Sequence, residues 1–141
     1  IRNLLVSYFF LRIILFIKNK NKMKTIICDI DGTLVKYRKD AKGIMIYGHQ
    51  ELPGVVEKLN RWENMGCKII LITGRRESLR EVTENALVKL GIPFDMLLMG
   101  FADSGRVLIN DEAGKTKAHS VSLQRDEGFE NFNWETIGLT N

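Results

Sequence analysis

Three short runs of this chain carry mostly apolar side chains, largely β-branched in the first two: Lys24–Ile30 (KTIICDI), Lys68–Thr73 (KIILIT) and Met96–Met99 (MLLM). A strand with one wet face alternates apolar and polar residues. A run without alternation belongs to a strand buried on both faces, which in practice means a parallel sheet covered by helices. The segments between the runs supply the helices. Pro53–Asn64 places Val55, Val56, Leu59 and Trp62 at helical spacing, with proline at its start and Gly66 past its end. Ser78–Leu90 is a second helix, opened by the capping box Ser78-Leu79-Arg80-Glu81 and closed by Gly91, with Pro93 beyond. Arg106–Ile109 (RVLI) reads as a further strand and Ala118–Leu123 as a candidate fifth. Strand and helix in alternation predict an α/β, three-layer αβα parallel sheet in a single domain. Phe129–Asn141 shows no period and stays unassigned.

The domain is expected to occupy 23–141 of the 141 residues, and 1–22 to stand apart from it. Leu4–Ile17 is apolar except at Ser7 and Arg12, and Lys18, Lys20 and Lys22 follow. Fourteen residues are short for a hydrocarbon core about 30 Å thick, and a central arginine adds roughly 2.5–3.5 kcal/mol to insertion. The preferred reading is a stretch outside the working protein, with Met23 directly before the first strand. A membrane anchor and an accessory helix packed on the domain are the alternatives. The leader also carries the basic excess. It holds five of the 21 lysines and arginines and no acid, so the net charge of +4 becomes −1 without it. The folded part thus gives no strong nucleic-acid signal, and the expected location is cytoplasmic.

Cysteine chemistry is disfavoured. Cys28 and Cys67 are too few for a disulfide scaffold, no CxxC suggests zinc, and neither is followed six residues later by arginine. No GxxxxGK[ST] or GxGxxG follows a strand-like run. Polar residues gather instead at one edge of the predicted sheet. Asp29, Asp31, Thr73 and Asp111 each stand at or just after the carboxyl end of an apolar run, where open α/β sheets bind ligands. Asp29 and Asp31 are two apart, so an extended backbone points both to the same side. Gly32 permits a tight turn and is expected to present backbone N–H groups to a ligand. Two close carboxylates repel unless a cation lies between them or one holds a proton; the first suits a nucleophile, the second a general acid/base.

Asp29-Ile30-Asp31-Gly32-Thr33 resembles the DxDGT signature of the haloacid dehalogenase (HAD) superfamily of phosphohydrolases. Leu71-Ile72-Thr73-Gly74-Arg75 is similar to that family's second motif, and Leu108-Ile109-Asn110-Asp111 to its fourth. The likeness runs from about Lys24 to Arg125. It implies a Rossmann-like fold and an Mg²⁺-dependent phosphomonoester hydrolase of the small, capless type. By this resemblance Asp29 is the nucleophile and Asp31 the acid/base. Thr73, with Gly74, Gly32 and a basic third-motif residue, meets the phosphoryl oxygens. Mg²⁺ is held by Asp29, Asp31 through its backbone carbonyl, and Asp111. Arg106, Lys89 and Lys115 compete for the third motif; Arg106 is favoured because it lies nearest in sequence to where the family places its base.

Only 41 residues separate Asp31 from Thr73, too few for a cap once a helix is counted, so the site is roofed by the flap Lys36–Gln50 alone. Lys36, Arg38, Lys39 and Lys42, with Tyr37 and Tyr47 between, read either as a solvated loop or as a recruiter of an anionic substrate. Open sites suit a phosphorylated macromolecular end, and a small phosphorylated molecule suits a site covered by a second subunit of a homo-oligomer. Arg75 and Arg76 read as solvated or substrate-facing, His49 and His119 as surface or loop histidines, and Cys28 as a small core hydrophobe. The alternative class is a non-catalytic phosphate- or partner-binding domain on the same scaffold, which loss of either DxD acid would favour; both are present. A calcium loop needs Glu twelve positions into the motif, where Asp40 stands. A receiver-type domain would carry its phosphorylated Asp on the third strand.

Overall fold

The structure is a computed structural model and describes residues 23–101, 104–111 and 117–140. The leader and Lys115 lie outside the described residues. Three parallel strands form an open sheet in the order β1-β2-β3: β1 is Thr25–Asp29, β2 Lys68–Ile72 and β3 Met96–Leu98. Among the described residues three α-helices accompany them: α1 Ala41–Tyr47, α2 Val55–Asn64 and α3 Arg80–Leu90. The α/β class expected from the apolar runs, Rossmann-like by the family resemblance, is the one observed. No helix among the described residues is long and apolar enough to cross a membrane.

Register explains which runs are dry. Cys28, Leu71 and Leu97 are paired across the sheet, as are Ile26 and Ile69, and Leu71 and Ile69 are completely buried. The helical face of α2 meets this layer with Val55, Leu59 and Trp62, all 1% exposed or less. The row Ile27–Ile70–Met96 faces the other way. Ile27 and Met96 remain about half exposed there.

Three local expectations are corrected. The capping box is not formed: a 3-10 turn, Glu77–Leu79, precedes α3, whose N-cap is Leu79 without a side-chain hydrogen bond. Gly91 does close α3, left-handed at φ 73°. Arg106–Ile109 is not a strand, and Val107 and Ile109 are 87% and 91% exposed. The cause lies just upstream. Gly100, at φ 77°, donates to the Arg75 carbonyl, and Phe101 donates to that of Thr73, so the chain turns across the end of β2 instead of returning along the sheet. Ala118–Leu123 is likewise irregular, although Val121 and Leu123 pack against the core.

The unassigned C-terminal stretch holds a structural feature without helical or strand period. Phe129, Phe132 and Trp134 cluster with Trp62 of α2, with Trp134 4.9 Å from both Trp62 and Phe129. Both indoles are satisfied, Trp134 on the Phe129 carbonyl and Trp62 on that of Thr140, each at 2.8 Å. Gly128 makes the approach possible: a Cβ there would collide with the Pro53 carbonyl oxygen and stand 2.8 Å from its nitrogen.

Candidate active site

Asp29 ends β1, and the chain leaves the sheet in a tight knot. The N–H groups of Thr33, Leu34 and Val35 all donate to the Ile30 carbonyl. Gly32, at φ +81°, turns the chain, but its N–H donates to Val35 at 2.7 Å. The expected presentation of that amide to a ligand is therefore not found; the knot consumes it. Leu34–Lys36 then pairs with Gln50–Leu52 through Lys36 N–H to Gln50 and Leu52 N–H to Leu34. This ladder forms the base of the flap. Its outer part is α1, capped by Asp40, whose carboxylate accepts from Gly43 N–H at 2.8 Å.

The two acids each meet a guanidinium. Arg106 donates to Asp29 Oδ1 at 3.0 Å, and Thr33 Oγ1 lies 3.4 Å from Oδ2. Arg75 grips Asp31 with both prongs, Nη2 to Oδ1 at 2.7 Å and Nε to Oδ2 at 2.8 Å. Thr73, buried at the end of β2, stands 3.5 Å from Asp31 Oδ2 and accepts the Arg75 N–H. Gly74 lies between them in the turn after β2.

Arg75 departs most from its sequence reading. It is 6% exposed, not solvated, and beyond Asp31 it reaches Thr83 Oγ1 at 3.0 Å and His49 Nε2 at 2.6 Å. A buried guanidinium needs acceptors on every prong, and here the turn after β1 supplies two and α3 and the flap one each. Burial, then the neighbouring Arg75 charge, pushes the His49 pKa below its ordinary value. The neutral ring that results can accept from Arg75. No spacing rule links Asp31, His49, Arg75 and Thr83. The available signal was an arginine directly behind a strand-terminal Thr-Gly, with a lone histidine at the flap's foot.

Cys28 tucks against the core and donates to the Asp29 carbonyl. Burial first, and the Asp29 charge second, raise its thiol to about 12, with Arg106 opposing. It is not a nucleophile at neutral pH.

Asp111 lies exposed in irregular chain, and Lys89 is exposed on the last turn of α3. Among the described residues no three Asp, Glu, His or Cys side chains gather closely enough to hold a metal ion. The predicted triad of Asp29, Asp31 and Asp111 is thus not assembled: the first two are neighbours and the third stays apart, because 106–111 does not lie in the sheet. The oxygen donors of Asp29 and Asp31 suit a hard cation by their chemistry. In the geometry observed, guanidinium groups balance their charge.

Paired carboxylates at the carboxyl edge of a parallel sheet, met by threonines and arginines, define an α/β domain with an acidic site at its sheet edge. The chain belongs to the haloacid dehalogenase-like hydrolases: that family's model matches residues 26–108, more than half of the sequence. A Vibrio cholerae protein solved as a crystallographic target superposes with a TM-score of 0.52 at 22% identity, over 82% of this chain and 94% of that one. A chain of the Pnkp1/Rnl/Hen1 complex is 34% identical with a TM-score of 0.49, and the match spans 60% of this chain but only 30% of the other. D,D-heptose 1.7-bisphosphate phosphatase from B. bronchiseptica, complexed with magnesium and phosphate, is 20% identical with a TM-score of 0.44, over 57% and 52% of the two chains. No curated protein matches the chain.

Proposed function

We propose that the chain is a phosphomonoester hydrolase that works through a phosphorylated Asp29. The observation that carries this reading is the pair Asp29 and Asp31 at the end of β1, each aligned by its own arginine, in a chain of a hydrolase family. A carboxylate oxygen of Asp29 attacks phosphorus, and the bond from phosphorus to the leaving oxygen breaks as Asp31 delivers a proton to that oxygen. Water then attacks the aspartyl-phosphate, Asp31 takes its proton, and inorganic phosphate leaves. The Arg75 fork fixes the orientation of Asp31 for both proton transfers. Thr73 offers a hydroxyl to the phosphoryl oxygens, and Arg106, which bonds the Asp29 oxygen at 3.0 Å, turns its guanidinium to the incoming phosphate. Asp29 and Asp31 would hold Mg²⁺, joined by Asp111 were it to approach them, and the ion when bound would supply charge neutralisation at the transferring group. The substrate partner is a phosphorylated molecule. The test is release of inorganic phosphate from p-nitrophenyl phosphate and a panel of phosphate esters by the full chain with Mg²⁺. We expect turnover that chelator abolishes and Asp29→Asn eliminates. Turnover retained by Asp29→Asn would contradict the nucleophile assignment.

A further inference from the structure

Beside the knot that follows the two acids, the C-terminal chain is fastened onto the flap by a residue in an unusual conformation. Asp126 is the one non-glycine with positive φ, +66°, among the described residues. Such a conformation persists where the surroundings over-determine it, and it concentrates at functional sites. Two bonds hold it: its N–H donates to the Gly32 carbonyl at 2.9 Å, and its Oδ1 accepts the Tyr37 N–H at 2.7 Å. The effect falls on its neighbour, Arg125. The arginine stem lies directly over Gly32, where a Cβ would stand 2.9 Å from Arg125 Cγ. Its guanidinium carbon rests 4.1 Å from the centre of the Tyr37 ring.

The guanidinium is therefore oriented but not consumed. Arg75 spends its donors on Asp31, Thr83 and His49, and Arg106 gives one N–H to Asp29. Arg125 is exposed, bonds no carboxylate among the described residues, and the carboxylate next to it in sequence is turned to the Tyr37 amide. A planar donor fork stacked on a ring is the side chain suited to a phosphate or a carboxylate.

We propose that Arg125 forms a second anion subsite, which receives a further phosphate or a carboxylate of a small substrate whose scissile phosphate lies at Asp29. This rests on the phosphohydrolase reading and narrows its substrate class. A nucleic-acid end fits less well. Arg125 already covers a face of Tyr37 that a base would need for stacking, and the chain beyond the leader has no basic excess.

The test separates binding from turnover. Calorimetric titration of the full chain without Mg²⁺ compares a hexose monophosphate, the bisphosphate of the same hexose, the corresponding phosphorylated aldonic acid and a 3′-phosphorylated oligonucleotide. Phosphate release with Mg²⁺ is measured on the same four ligands. We expect the bisphosphate or the phosphorylated acid to bind about tenfold or more tightly than the monophosphate. Which of the two wins identifies the second anion. Arg125→Gln should bring that ratio near unity, and Arg125→Lys, with the charge but not the fork, should keep part of it. Preference without turnover on any ligand leaves the subsite standing and overturns the phosphohydrolase reading. Turnover without preference does the reverse. A ratio unchanged in Arg125→Gln, an equal loss on both sugar ligands, or tightest binding of the oligonucleotide would each overturn the subsite.

Discussion

Arg75 carries more of the site than its place in the sequence suggests, because one guanidinium joins the acid, the flap and α3. Lysine there keeps the charge and loses the fork. Arg75→Lys should lower kcat by roughly 10- to 100-fold, with a smaller change in KM, since Asp31 is no longer held in line. Steady-state kinetics check this; an unchanged kcat would show that Asp31 needs no such positioning. Cys28 is predicted to resist thiol reagents at pH 8 in the native protein and to react only on unfolding, because its thiol is raised to about 12. The two acids were legible from sequence, since spacing of two and a strand end fix their direction. The role of Arg75 was not. A solvated and a buried arginine look alike until their acceptors are known, and those acceptors come from three separate elements.

The secondary structure divides along the same line between local and distant causes. β1, β2, α2 and the end of α3 follow from runs, periods and glycines within a few residues of each other. The 106–109 run has the composition of a strand, but a strand also needs a partner. The turn at Gly100 and the hold of Arg106 on Asp29 take it elsewhere. The C-terminal stretch was illegible for the opposite reason: turns and a short 3-10 helix place its aromatics without any period. Their weight is testable. Trp134→Ala should destabilise the domain by about 3–5 kcal/mol, because it empties the centre of the Trp62–Phe129–Phe132 cluster. Gly128→Ala should also destabilise it, since a left-handed residue with a Cβ must push Pro53 away. Denaturant unfolding measures both. Parental stability in Trp134→Ala would mean that the C-terminal segment is not part of the cooperative unit.

At the scale of the whole molecule, flap, sheet and C-terminal chain converge on the β1 end, so pH should act on stability through their shared contacts. His49 has a lowered pKa in the folded state, so the native protein binds fewer protons than the unfolded chain below pH 6.5. Its stabilising contribution is complete above pH 6.5 and is lost as pH falls through the folded value. Melting temperatures from pH 7.5 down to pH 5 should therefore decline, and less steeply in His49→Gln. The central claim remains that Asp29 becomes phosphorylated, and the most direct measurement looks for that bond. Asp31→Asn, which cannot activate water, is mixed with a substrate that the parent hydrolyses, quenched in acid, digested and analysed by mass spectrometry. The parent protein is quenched during turnover alongside it, so that the result does not depend on the stability of one variant. One phosphoryl group on the peptide bearing Asp29, absent in Asp29→Asn, is the expected result. Turnover in the parent with no phosphorylated peptide in either sample, or a phosphoryl group on another residue, would contradict the account.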